Sequence, residues 1–85
     1  MERPSLYVVA TPIGNLADIT LRALDVLKRV DAIAAEDTRV TLRVLKHYCI
    51  AAPLITLHQH NERDAAQKIL RLVAQGTAVA LVSDP

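Results

Sequence analysis

The chain alternates short apolar runs with longer stretches in which apolar positions recur every three or four residues. Leu6-Tyr7-Val8-Val9-Ala10 is a continuous apolar run rich in β-formers, the pattern of a strand buried on both faces. Thr11-Pro12-Ile13-Gly14-Asn15 follows as a turn cluster holding both Pro and Gly. Leu21, Leu24 and Leu27 then recur at helical spacing among Arg22, Asp25, Lys28 and Arg29. Ala32-Ile33-Ala34-Ala35 is a second apolar run, closed by Glu36-Asp37. Asp37, Thr38 and Thr41 are candidate N-caps for a helix carrying Leu42 and Leu45, and Pro53 is expected to end that segment. Leu54-Ile55-Thr56-Leu57 reads as a third strand. Asn61 is a candidate cap for the next helix, with Asp64 as a capping-box variant and Ala65, Ile69, Leu72 and Val73 as its apolar face. Gly76 stands where a C-terminal glycine cap belongs, and residues 78–82 form a fourth apolar run before Ser83-Asp84-Pro85.

The order β-α-β-α-β-α-β predicts an α/β fold, a parallel sheet covered by helices on both faces, with right-handed crossovers. In such sheets ligands bind beyond the carboxyl ends of the strands. Four loops occupy those positions, and nearly every chemically capable side chain falls in them. The first, at residues 11–15, can bring backbone close to a ligand because Gly14 has no side chain. It has neither the three glycines of a dinucleotide fingerprint nor the Gly-Lys-Ser/Thr of a P-loop. Glu36-Asp37-Thr38-Arg39 suits acid–base work or substrate positioning, and equally an ordinary acidic helix start. His58-Gln59-His60 places two imidazoles on one face if the strand continues that far, but no third ligand stands beside them and no metal is assigned. His60 with Glu62 suits a base and its orienter, and equally a polar loop leading into the cap at Asn61. His47 falls at a helix end, as a favourable partner for the C-terminal dipole.

Composition narrows the picture. A length of 85 residues allows one small domain at most. Apolar residues at 52% and charged residues at 22% are those of a globular chain. Tyr7 and Tyr48 are the only aromatics, so the core is built from Leu, Val, Ile and Ala. A net charge of +1 gives no basic footprint and weighs against autonomous nucleic-acid binding. Cys49 is alone, which excludes an internal disulfide and a Cys-rich zinc site. The first apolar run is too short for a signal peptide or a membrane span, and a cytoplasmic protein is expected.

Four motifs together carry a resemblance. They are residues 6–20, Ala35-Glu36-Asp37-Thr38-Arg39 followed by Thr41, His60-Asn61-Glu62 preceded by His58, and Val82-Ser83-Asp84. In this order, each after a strand, they resemble the ribosomal RNA small subunit methyltransferase I family over essentially residues 6–84. The resemblance implies the N-terminal part of a tetrapyrrole methylase-like fold, in a two-domain enzyme that uses S-adenosylmethionine. It implies methylation of a cytidine ribose 2′-hydroxyl in small-subunit (16S) ribosomal RNA, with that RNA or the 30S subunit and a second copy as partners. The cofactor would lie between the domains, with Thr11, Pro12, Gly14, Asn15, Ser83 and Asp84 on this side of the cleft. Asp37, His58, His60 and Glu62 become candidates for assisting deprotonation, and Glu36, Thr38, Arg39 and Asn61 candidates for holding substrate. The family continues its Ser-Asp with Ala-Gly-Thr-Pro, whereas Asp84 is followed here by Pro85. Residues 1–85 are therefore expected to be an incomplete N-terminal domain, without the C-terminal domain and inactive alone. Two other readings stand beside this one: a methyltransferase of the same fold acting on a tetrapyrrole or other small molecule, and a non-catalytic nucleotide-binding module.

Overall fold

A computed structural model describes residues 6–10, 15–57 and 62–83. Its elements follow the apolar pattern: β1 (Leu6–Ala10), a single 3₁₀ turn (Leu16–Asp18), α1 (Leu21–Arg29), β2 (Ala32–Ala35), α2 (Thr38–His47), β3 (Leu54–Thr56), α3 (Glu62–Ala74) and β4 (Val79–Ser83). The strands pair in parallel in the order β1-β4-β2-β3. The last strand in sequence thus enters the middle of the sheet. Its mate β2 is buried along its whole length, which explains the all-apolar run Ala32-Ile33-Ala34-Ala35.

Side chains alternate between two cores. Val9, Ile33, Ala35, Ala80 and Val82 face α1 and α2, meeting Ala23, Leu27, Val44 and Leu45. Ala32, Ala34 and Val79 face the other way and meet Ile69 of α3. Asp31 fastens the amino-terminal edge: its N–H donates to the Ala78 carbonyl at 2.8 Å, and its Oδ2 accepts from the Ala78 N–H at 2.9 Å.

Three expectations change. β1 lies at the edge of the four described strands, and within them its two faces differ: Val9 is 5% exposed but Leu6 is 46% and Val8 72% exposed. Its paired side reaches β4, while α3 leaves its second face uncovered. The second helix stops at His47, before Pro53 is reached. It stops by turning the backbone left-handed at Cys49 (φ 57°), with the Ile50 N–H donating to Leu45 O at 2.8 Å and the Cys49 N–H to Lys46 O at 3.3 Å. Of the three candidate caps for that helix only Asp37 acts as one; Thr41 is fully buried one turn inside. Gly76 is the cap residue expected of it, at φ 86° just past α3. Asn61, the candidate cap of α3, lies outside the described residues.

Candidate functional site at the carboxyl edge of the sheet

Parallel pairing sends all four strands out at one edge. Register makes the juxtaposition specific: Ala10 sits beside Ser83, and Ala35 sits between Val82 and Thr56. The carboxyl ends of β1 and β4 are therefore neighbours. Those of β2 and β3 lie next to them, with the Leu57 N–H still donating to Ala35 O at 2.8 Å. The strand-end residues Ala10 and Ala35 are small. Thr11, Pro12, Gly14 and Asp84 lie outside the described residues, as do His58, His60 and Asn61. Ser83 is the last residue of β4, and Glu62 the first of α3.

Asn15 is exposed and caps the 3₁₀ turn, its Oδ1 accepting from the Ala17 N–H at 3.0 Å. One turn later Thr20 caps α1, its Oγ1 accepting from the Ala23 N–H at 3.0 Å. Together the two caps hold the chain beside β1 and start α1 at the carboxyl edge. A groove of about 460 Å³ runs along the open side of β1 and is lined there by Thr20 and Arg22. Sequence reasoning passed over both residues, because a helix's first turn looks like any solvated surface. Only the edge position of β1, which is a tertiary fact, brings them to a groove.

Asp37 and Arg39 sit where the second loop becomes α2. Asp37 Oδ1 accepts from the Arg39 N–H at 3.0 Å and from Arg39 Nε at 3.4 Å. The Arg39 backbone N–H, above all, holds the Asp37 carboxyl below the usual aspartate range. A carboxylate so occupied is a weak proton acceptor near neutral pH. Its geometry is that of a helix cap. Thr41 Oγ1 donates to the Asp37 carbonyl at 3.3 Å, tying the cap residue to the buried side of α2. Thr38 is half-buried in the first turn, whereas Glu36 and Arg39 are exposed, the Arg39 side chain at 89%. These two present a free carboxylate and a guanidinium at the edge.

His47 lies in the last turn of α2, at the opposite edge, with its ring edge-on to Tyr48 at 4.7 Å. Among the described residues no group of three or more His, Cys, Asp or Glu side chains can hold a metal ion, and no helix is long and apolar enough to cross a membrane.

Comparison with known proteins agrees with this layout. Residues 5–84 match the family model of the Tetrapyrrole (Corrin/Porphyrin) Methylases. The chain is 59% identical over 80 residues to a ribosomal RNA small subunit methyltransferase I of Neisseria meningitidis serogroup B, covering 94% of this chain and 28% of the relative. It is 58% identical over 79 residues to the protein of that name from Escherichia coli O157:H7, covering 93% and 28%. For the Bacillus subtilis protein of that name the identity is 53% over 79 residues, covering 93% and 27%. The chain thus spans little more than a quarter of the length of these relatives. With a family match over nearly all its residues and the fold to go with it, the chain belongs to the tetrapyrrole (corrin/porphyrin) methylase family.

Proposed function

We propose that this chain is the N-terminal part of an S-adenosylmethionine-dependent enzyme that methylates a cytidine ribose 2′-hydroxyl in small-subunit ribosomal RNA. The full activity, the C-terminal domain, the cytoplasmic setting and the homodimer belong to the polypeptide of the relatives' length. The observation that carries the reading is the register of Ala10 against Ser83. It supports a single cofactor cleft walled by the loop containing Thr11, Pro12, Gly14 and Asn15 and by Ser83 and Asp84.

The bound cofactor supplies a methyl group on a sulfonium, already activated for displacement. The protein's work is then to hold the ribose hydroxyl in line and to ease the loss of its proton. Asp37, His58, His60 and Glu62 are the candidates to serve as base, and the cap made by Asp37 weighs toward the other three. Glu36, Thr38, Arg39 and Asn61 are the candidates for substrate contact, with Arg39 suited to a phosphate.

The test uses full-length protein, radiolabelled S-adenosylmethionine, and 30S subunits or naked small-subunit RNA. The expected product is label in RNA at one cytidine, at a linkage resistant to alkali because the 2′-oxygen is blocked. Label in a corrin or porphyrin and none in RNA would favour the small-molecule reading that the family description also allows. Cofactor binding with no methyl transfer to either would favour the non-catalytic module. Calorimetry on Gly14→Val and Asp84→Ala should show weaker cofactor binding by roughly 10- to 150-fold for a lost charge-assisted bond. His47→Ala, at the opposite edge, should bind as wild type.

A further inference from the structure

The net charge of +1 conceals a segregation. Helices α1 and α2 carry Arg22, Lys28, Arg29, Arg39, Arg43 and Lys46 against one carboxylate within the helices, Asp25, and Asp37 at the cap of α2. Both helices pack their apolar sides on the same face of the sheet, and all six cations are exposed. Two are partly neutralised: Arg29 by Asp25 at 3.1 Å, and Arg39 by Asp37 at 3.4 Å. The other four have no ion-pair partner among the described residues. The helix on the opposite face serves for comparison: the α3 sequence carries Arg63, Lys68 and Arg71 together with Glu62 and Asp64.

We infer that the outer surface of α1 and α2 is a docking face for the phosphate backbone of RNA. This rests on the function proposed above and names the surface that reading lacks. Arg39, Arg43 and Lys46 fall at helical spacing along one stripe of α2. The helix begins at the carboxyl edge, just past the end of β2, so the stripe leads from the proposed methyl-transfer site across the molecule. Ten residues of helix give it a length of about 15 Å, enough for several phosphates of one strand. Exposed, unpaired cations on a rigid helix bind phosphate by releasing its counterions, which ties the affinity to salt. A helix of mixed charge, as α3 is by sequence, offers less of this gain.

The experiment compares two double variants of the full-length protein that remove equal charge: Arg43→Gln with Lys46→Gln on α2, and Lys68→Gln with Arg71→Gln on α3. Affinity for a small-subunit RNA fragment is measured across a salt series, with cofactor affinity and circular dichroism alongside. The α2 pair should bind RNA about tenfold more weakly at low salt and flatten the log–log salt slope by about 1.4, at ~0.7 per single-strand phosphate contact. The α3 pair should match wild type, and cofactor affinity should be unchanged in both. Equal RNA affinity and slope in the α2 and α3 variants would overturn the docking face while leaving the methylation reading intact. Wild-type protein that binds RNA through α2 but transfers no methyl group to it would overturn the methylation reading and keep the docking face.

Discussion

The two faces of the sheet are finished to different degrees. Among the described residues, twelve buried ones form one apolar cluster on the side of α1 and α2, with Leu27, Ile33 and Val44 each no more than 1% exposed. On the side of α3 the described cluster has four buried residues, three of them small or β-branched strand residues under Ile69. Leu6 and Val8 of β1 and Leu70 of α3 stay exposed there. The cause is the direction of the crossovers. From β1 to β2 and from β2 to β3 the chain moves one way across the sheet, and from β3 to β4 it moves back. Right-handed connections then put α1 and α2 on one face and α3 alone on the other. A helix about 10 Å wide covers roughly two strands spaced about 4.8 Å apart, so one helix cannot cover four.

The largest expected effect tests this difference in packing. Leu27→Ala should destabilise the folded protein by about 3–5 kcal/mol, because the side chain is enclosed on all sides and the cavity cannot collapse. Ile69→Ala, at 9% exposure on the one helix of the other face, should cost about 2–3 kcal/mol. Denaturant titration of both variants measures the gap. Equal losses would mean that the two faces are packed alike and would break the comparison.

The next test concerns how the helices of the two faces end. Past α2, Ile50 N–H donates to Leu45 O and Cys49 N–H to Lys46 O; past α3, Thr77 N–H donates to Leu72 O and Gly76 N–H to Val73 O. The motif is the same, but one left-handed residue is Gly76 and the other Cys49. Gly76→Ala meets no atom within 4 Å yet forces a Cβ into φ 86°, and should cost about 1–2 kcal/mol. Cys49→Gly relieves that same strain and should raise stability by a few tenths to about 1 kcal/mol, less what glycine gains in the unfolded chain. Thermal unfolding should show shifts of opposite sign.

These paired ends also show what was legible in the sequence. Gly76 announces its conformation, whereas a cysteine carries no such signal, so Pro53 took the credit for a helix that had already stopped at His47. All four strands were readable, because buried strands leave continuous apolar runs. The exposure of β1 was not, since a strand's own residues do not say how many helices will cross it. At the site, the gathering of the four strand ends at one edge followed from parallel pairing alone. The roles of Asp37, Thr38 and Thr41 did not, because all three are good capping residues and only the backbone geometry selects among them. The near-zero net charge hid the basic face in the same way: a sum over the chain erases what the helices segregate.

A smaller effect belongs to the cap that starts the first helix of the well-packed face. Thr20→Ala removes the acceptor for the Ala23 N–H and should cost about 1 kcal/mol. Restoration by Thr20→Asp, which caps in the same way, would place the effect at the helix end. A loss that Asp fails to restore would place it in the packing of the threonine methyl instead.

The smallest effect at neutral pH is expected at Asp37, where the cap of α2 and a candidate catalytic carboxylate are the same group. Its carboxyl titrates below the ordinary aspartate range when folded, chiefly because it accepts the Arg39 N–H. A depressed folded value means the unfolded state binds the proton more readily. The stabilisation from the ionised cap is thus complete above the unfolded value of about 3.9 and is lost as the pH falls through the folded one. Asparagine caps about as well as aspartate and does not titrate in this range. Asp37→Asn should therefore fold normally at neutral pH, and any advantage of the wild type should shrink as the solution is acidified below the ordinary aspartate value. Urea midpoints of the two proteins across that range measure it. Methyl transfer to RNA by full-length Asp37→Asn supplies the second readout. A residue occupied in capping leaves the turnover number within a few-fold of wild type and the pH–rate profile in place. A general base, once neutralised, loses about 10²–10⁴-fold and takes one limb of that profile with it. The two-point hold of Arg39 on this carboxylate favours the first outcome, and the second would put Asp37 back among the groups that take the ribose proton.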